Sequence, residues 1–220
     1  MPTPLPVLSL LETRLLGVLV EKQHTVPDSY PLTLNALLSG ANQKTSRNPV
    51  IEASEAEAQA ALDHLKSLSL VMESSGGRVM RYAQNVGKVL GVPPQSVALL
   101  AVLFLRGPQT AGELRINSDR LHKFGDILSV EAFLNELAEK PLVAELGKAP
   151  GARETRWMHL LSGEPAAELA AAASPAAGTG DALTVSELAA IKANVARLEG
   201  EVESLRETVA RLARELGITP

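Results

Sequence analysis

The chain carries no acidic residue between Asp28 and Glu52, and within that gap lies Asn42-Gln43-Lys44-Thr45-Ser46-Arg47-Asn48. Two cations, three side-chain amides and two hydroxyls in succession suit phosphate oxygens, with amides and hydroxyls as donors and Lys44 and Arg47 supplying charge. The same composition suits a solvated loop whose Asn and Ser side chains turn the backbone. Both readings stand at this level.

Other chemistry is poorly served. His24, His64, His122 and His159 are far apart, and no pair has the spacing of metal ligands. Cysteine is absent, which removes disulfides, thiolate metal sites and cysteine nucleophiles together. There is no Gly-x-Ser-x-Gly elbow, phosphate-binding Gly-Lys loop or dinucleotide fingerprint. The residues predict a protein that is not an enzyme, with no cofactor and no metal. The start of the chain lacks the basic and apolar regions of a signal peptide, and no stretch reaches the roughly 18 apolar residues of a membrane span. A soluble, cytoplasmic protein is expected.

These residues need elements to hold them, and the elements are written twice. Ala61 to Lys66 leads into Leu70-Val71, a turn at Gly76-Gly77, and Arg81-Tyr82. Leu134 to Leu137 leads into Leu142-Val143, a turn through Gly147 and Gly151, and Arg156-Trp157. Each reads as an amphipathic helix, a corner and a two-stranded hairpin, the back half of a winged helix. Four helix starts place Ser or Thr three residues before Glu, the spacing of a capping box: Ser9 with Glu12, Ser54 with Glu57, Thr110 with Glu113, and Thr184 with Glu187. A first helix carries Leu8, Leu11, Leu15, Val18 and Leu19 on one face, and Leu32 to Leu38 reads as a short second helix. After Pro93-Pro94, Val97 to Leu105 is a buried helix. A second follows from Thr110, a third from about Ser129, and a hairpin from Leu142 to Leu161.

The predicted fold is mainly α with small β-hairpins, an α+β class. It comprises winged-helix domains over 1–90 and 91–162, an Ala/Gly/Pro-rich linker over 163–182, and a coiled-coil helix over 183–218. In that last segment Leu188, Val195, Val202, Val209 and Leu216 occupy heptad position a, and Ile191, Leu198, Leu205 and Leu212 occupy d. Valine at a with leucine at d favours a parallel pair, and Glu187–Lys192 and Glu201–Arg206 complement it across the seam. A homodimer through this helix is expected.

The net charge is −4, and the deficit lies in the tail. Residues 1–88 and 89–163 each carry eight acids and eight bases, whereas 164–220 carry nine and five. Neutral domains do not advertise nucleic-acid binding. The third helices, which would face bases, begin with Glu52, Glu55 and Glu57 in one unit and with Glu131, Asn135 and Glu136 in the other. The hairpins add Arg78 and Arg81, then Lys148, Arg153 and Arg156. The candidate binding surface is therefore Asn42, Gln43, Lys44, Arg47, Asn48, Arg78, Arg81, Lys148 and Arg153. Tyr82 and Trp157 sit where each hairpin rejoins its core.

Glu21-Lys22-Gln23, Thr25, Pro27-Asp28, Tyr30-Pro31-Leu32, Asn35-Ala36-Leu37 and Asn42-Gln43-Lys44 through Arg47 and Pro49-Val50 resemble the YceH family of bacterial proteins. The likeness continues through Leu105-Arg106-Gly107, Gln109-Thr110, Gly112 to Arg115, Arg156 and Met158-His159-Leu160, and into the acidic tail. It implies a tandem winged-helix fold without supplying a catalytic role, cofactor or ligand. Relatives often have cysteine just before the Asn-Gln-Lys run, where this chain has Ala41. Two functions follow as expectations: a dimeric protein-docking or regulatory adaptor, and, as the alternative, a DNA-binding regulator that contacts phosphates through the 42–48 loop and the basic wings.

Overall fold

The structure, a computed structural model, describes residues 7–75, 79–147 and 154–163. Helix α1 (Leu10–Thr25) opens it, followed by strand β1 (Leu32–Thr33), α2 (Leu34–Ala41), α3 (Glu55–Ser67), β2 (Val71–Ser74), β3 (Arg81–Gln84) and a short α4 (Val86–Leu90). Then come α5 (Pro94–Arg106), α6 (Ala111–Asn117), α7 (Ile127–Glu139), β4 (Val143–Leu146) and β5 (Arg156–His159). The fold is mixed α+β with small antiparallel sheets.

Three of the four expected capping boxes are formed, at Ser9/Glu12, Ser54/Glu57 and Thr110/Glu113. Each satisfies two amides that a helix start otherwise leaves without a partner. Thr184/Glu187, the linker and the heptads lie outside the described residues, as do Arg78, Lys148 and Arg153. Two boundaries need correction. Leu32 and Thr33 are extended, paired with Tyr82 and Arg81, because Thr33 is the N-cap of α2 and its hydroxyl accepts the Ala36 amide. Helix α7 starts earlier than Ser129, because the Asp126 carboxylate caps it by accepting the Ser129 amide at 2.7 Å.

The repeat extends to individual hydrogen bonds. The Leu70 amide donates to the Leu65 carbonyl at the corner after α3, and Leu142 donates to Leu137 after α7. The Asn85 amide donates to the Leu70 carbonyl and Leu160 to Leu142, closing each hairpin. Sheet order in the first half is β1-β3-β2, while β4 and β5 form a two-stranded sheet. Gln109 takes the place of β1 there, exchanging both backbone bonds with Trp157.

The two halves share one apolar core. Every residue of α5 from Ser96 to Leu105 is buried, as the continuous apolar run predicts. Helix α1 crosses α5 at Gly17, where an added Cβ would come within 2.8 Å of Leu105 Cγ. It meets α2 at Gly40, where a Cβ would lie 2.6 Å from Val18 Cγ1. Neither contact has room for a methyl group without movement. The Leu8 amide also donates to the Leu161 carbonyl, tying the segment before α1 to the end of the second half. At the far end of α3, Glu12 Oε1 lies 2.5 Å from His64 Nδ1. Burial pushes the Glu12 carboxyl up, but hydrogen bonds from Ser9 and His64 outweigh it and hold the group below its ordinary range.

Candidate functional site

The 42–48 stretch is a brace rather than a free loop. Asn42 uses its side-chain amide as a strand would use its backbone: Nδ2 donates to the Ala53 carbonyl and Oδ1 accepts the Ala53 amide, both at 2.9 Å. Arg47 is only 6% exposed. Its guanidinium grips both oxygens of Glu21, at 3.2 and 2.7 Å, and its Nε donates to the Gly40 carbonyl at 3.1 Å. Such a fork-on-fork pair fixes orientation as well as charge. Arg47 is therefore corrected: it is not an exposed phosphate contact, because its donors are directed inward to α1 and α2. The preceding Ser46 takes a left-handed conformation, φ 59°, and Arg47 Nη1 holds its carbonyl at 2.9 Å.

The brace reaches beyond its own half. The Asn48 amide donates to the Leu105 carbonyl at 2.8 Å, and Arg106 Nη2 donates to the Ser46 hydroxyl at 2.9 Å. From the other side, fully buried Arg14 donates to the Pro49 carbonyl at 2.6 Å. Burial, and then repulsion from Arg47, push the Arg14 guanidinium down to about 10. Gln43 Nε2 folds back onto the Thr45 carbonyl and hydroxyl. Lys44 and the Asn48 side chain stand on the exposed rim. Of the first loop's two cations, only Lys44 projects outward.

The hairpin arginines are also placed for support. Arg81 Nη1 donates to the Pro31 carbonyl at 2.7 Å, and Arg156 Nη1 to the Pro108 carbonyl at 2.8 Å, the same bond in each half. Arg81 keeps an exposed side while making it. Tyr82 and Trp157 are buried, as their positions predict.

The faces of the third helices are acidic where they are exposed. In α3 these residues include Glu55, Glu57 and Asp63. In the second half a cleft of about 450 Å³ lies between α7, the start of α6 and the β4–β5 hairpin. Among the described residues its charged lining is Glu131, Glu145 and Glu154, and Ile127 and Trp157 supply apolar surface. The sequence marks Glu131 and Asn135 as facing outward; Glu145 and Glu154 emerge only with the hairpin register, in which Glu145 sits opposite Trp157. The matching first-half residue, Glu73 opposite Tyr82, is neutralised by Lys66 at 2.6 Å. Ala138 stands at the corresponding place in α7, and among the described residues no cation pairs with Glu145.

The histidines remain scattered, and no cluster of three potential metal ligands occurs among the described residues. His159 is buried edge-on against Phe104, with ring centroids 4.9 Å apart, and burial pushes it down to about 4. No helix of the described residues is long and apolar enough to cross a membrane.

The family model described as "Protein of unknown function, DUF480" matches residues 8–152, from just before α1 to past the end of β4, with the brace inside the match and β5 beyond it. The chain belongs to the DUF480 family. A UPF0502 protein of Dechloromonas aromatica is 61% identical over 214 residues, covering 96% of this chain and 98% of that protein. A UPF0502 protein of Burkholderia lata is 60% identical over 221 residues, covering 99% and 93%, and one of Burkholderia ambifaria is 59% identical over 223 residues, covering 99% and 94%. These matches agree with the YceH resemblance. Residues that carry that resemblance, among them Glu21, Asn42, Arg47 and Arg106, converge on the brace of this DUF480 chain.

Proposed function

We propose that the chain is a pair of winged-helix modules acting as a non-enzymatic protein-docking adaptor, dimerised through the tail heptads. The repeated order of three helices and a hairpin, with an extended residue before the second helix of each unit, supports the winged-helix reading. The observation that carries the docking reading is the cleft beside α7, whose charged lining among the described residues is Glu131, Glu145 and Glu154 over Ile127 and Trp157. In a winged helix that meets DNA, this is the face turned to the phosphates, and three carboxylates there repel them. A basic segment with an aliphatic or aromatic anchor fits its charge and its apolar floor. Leu128, 72% exposed, and Ile127, 45% exposed, extend that apolar surface along α7.

Two measurements decide it. Fluorescence anisotropy with a labelled lysine-rich peptide bearing leucine anchors should give saturable binding that Glu131→Lys with Glu145→Lys abolishes. A labelled duplex at low salt should remain unbound. Duplex binding whose log affinity falls with log salt by about 0.9 per phosphate contact would instead establish the DNA reading. For the tail, light scattering should report a dimer for the full chain and a monomer for a chain truncated after Gly163. A dimer in both would place the interface in the globular part.

A further inference from the structure

Where the two halves meet, a cleft of about 610 Å³ opens between the end of α1, the brace, the end of α5 and the connection after α6. It shares none of the α7 cleft's described lining residues. We infer that this cleft is a binding site for a small phosphorylated molecule. Three observations converge on it.

The first is charge. Lys22, Arg106 and Arg120 line the cleft, against Glu21 and Asp119. Glu21 is already engaged: both its oxygens accept from the buried Arg47, and Lys22 is a longer 3.6 Å away. The wall thus carries more positive than negative charge. Arg106 is half-buried, and partial burial, then Arg47, disfavour its charged form more than Glu21 favours it. An anion in the cleft would offset both effects.

The second is the set of donors. Arg106 reaches the Ser46 hydroxyl with Nη2, and among the described residues its other guanidinium nitrogens make no hydrogen bond. Because the Ser46 hydroxyl accepts from Arg106, its own proton remains free to donate. A guanidinium edge, an ammonium and a hydroxyl on neighbouring walls match the several acceptor oxygens of a phosphoryl group. The Ser46 hydroxyl is held there by its left-handed backbone and by Arg47 on its carbonyl.

The third is size. A few hundred cubic ångströms, flanked by Val102, Leu105 and Leu121, is the scale of small-molecule sites and is too confined for a folded partner. The walls come from both halves, so a ligand there would touch both and stabilise their junction by mass action.

Isothermal titration of the full chain with inorganic phosphate, pyrophosphate and ADP tests this, with sodium chloride at matched ionic strength as the reference. Saturable binding of pyrophosphate or ADP is expected, together with a rise in Tm. Lys22→Gln and Arg106→Gln should each weaken it about tenfold or more, as loss of a charge-assisted hydrogen bond implies. Lys88→Gln, which removes an exposed cation on α4 outside the cleft, should leave it unchanged. Lys22 is partly exposed, so Lys22→Gln keeps the test alive if Arg106→Gln does not fold. No saturable binding at millimolar probe would overturn the proposal, as would equal affinity in wild type and Lys22→Gln. An oligonucleotide that binds where ADP neither binds nor competes would also overturn it, assigning the cations to a polymer.

Discussion

In the first half the chain passes from α2 to α3 through the long stretch Asn42–Ser54; in the second, α6 reaches α7 through the shorter Ser118–Asp126. The shorter connection is closed within its own half: Leu121 and His122 donate to the Ser118 carbonyl, Arg115 reaches the Gly125 carbonyl, and Phe124 packs against Phe133. The longer one also reaches out of its half. Besides the Glu21 carboxylate of its own α1, it binds the Leu105 carbonyl and Arg106 of the other half. A unit written twice can leave both copies intact and still need a polar seal where they meet, and here the extra length of one connection adds it to the apolar contact of α1 with α5.

The largest effect should come from breaking that seal. Arg47→Ala leaves Glu21 largely buried without its partner and deprives the Gly40 carbonyl of a donor. Removing one member of a buried pair typically costs about 3–5 kcal/mol. Urea unfolding should show a loss of that size, with Lys44→Ala within about 0.5 kcal/mol of wild type. Comparable small changes for both variants would mean that the brace is a passive loop and the comparison of the halves has no structural weight.

Arg47 also marks where sequence reasoning stopped. The capping boxes, the buried run of α5 and the inward aromatics Tyr82 and Trp157 were legible because each depends on near neighbours or on periodicity. Composition described the brace correctly as polar and cationic. It was silent on direction, since the partner of Arg47 is Glu21 on α1 and that of Asn42 is the Ala53 backbone. A two-residue strand such as β1 has too short a pattern to read, and α4, at Val86–Leu90, too few turns. The acidity of the α7 cleft was half visible: Glu131 lies on a helix face, whereas Glu145 and Glu154 depend on hairpin register.

The second test contrasts the hairpins. His159 in β5 is buried, its Nδ1 has no hydrogen-bond partner, and burial holds its pKa near 4 against an ordinary 6.5. The matching residue of β3 is Gln84, which is half-buried and donates its side-chain amide to Gln23. Between those two pH values the unfolded chain binds a proton that the folded chain refuses. Stability is therefore full above about pH 6.5 and declines as pH falls towards 4, by on the order of 3 kcal/mol for this group. His159→Leu should remove most of that decline when unfolding midpoints are followed across the range. An unchanged pH profile would place the acid sensitivity elsewhere.

The smallest effect tests how closely the halves correspond. Arg81 and Arg156 make the same bond to the carbonyl before the extended residue, Pro31 and Pro108. Each bond is partly in water, so replacing either arginine by alanine should cost about 0.5–1.5 kcal/mol. Arg156 has a further partner, Glu113 at 3.1 Å, but with 38% and 43% of the two side chains exposed this pair adds only about 0–1 kcal/mol. Arg156→Ala should thus be equal to or slightly worse than Arg81→Ala, and Glu113→Gln should close the gap. The two arginines lie in separate hairpins and share no partner, so their losses should add in the double variant. Strong non-additivity would mean that the hairpins communicate through the shared core and respond as one cooperative body rather than as independent sites.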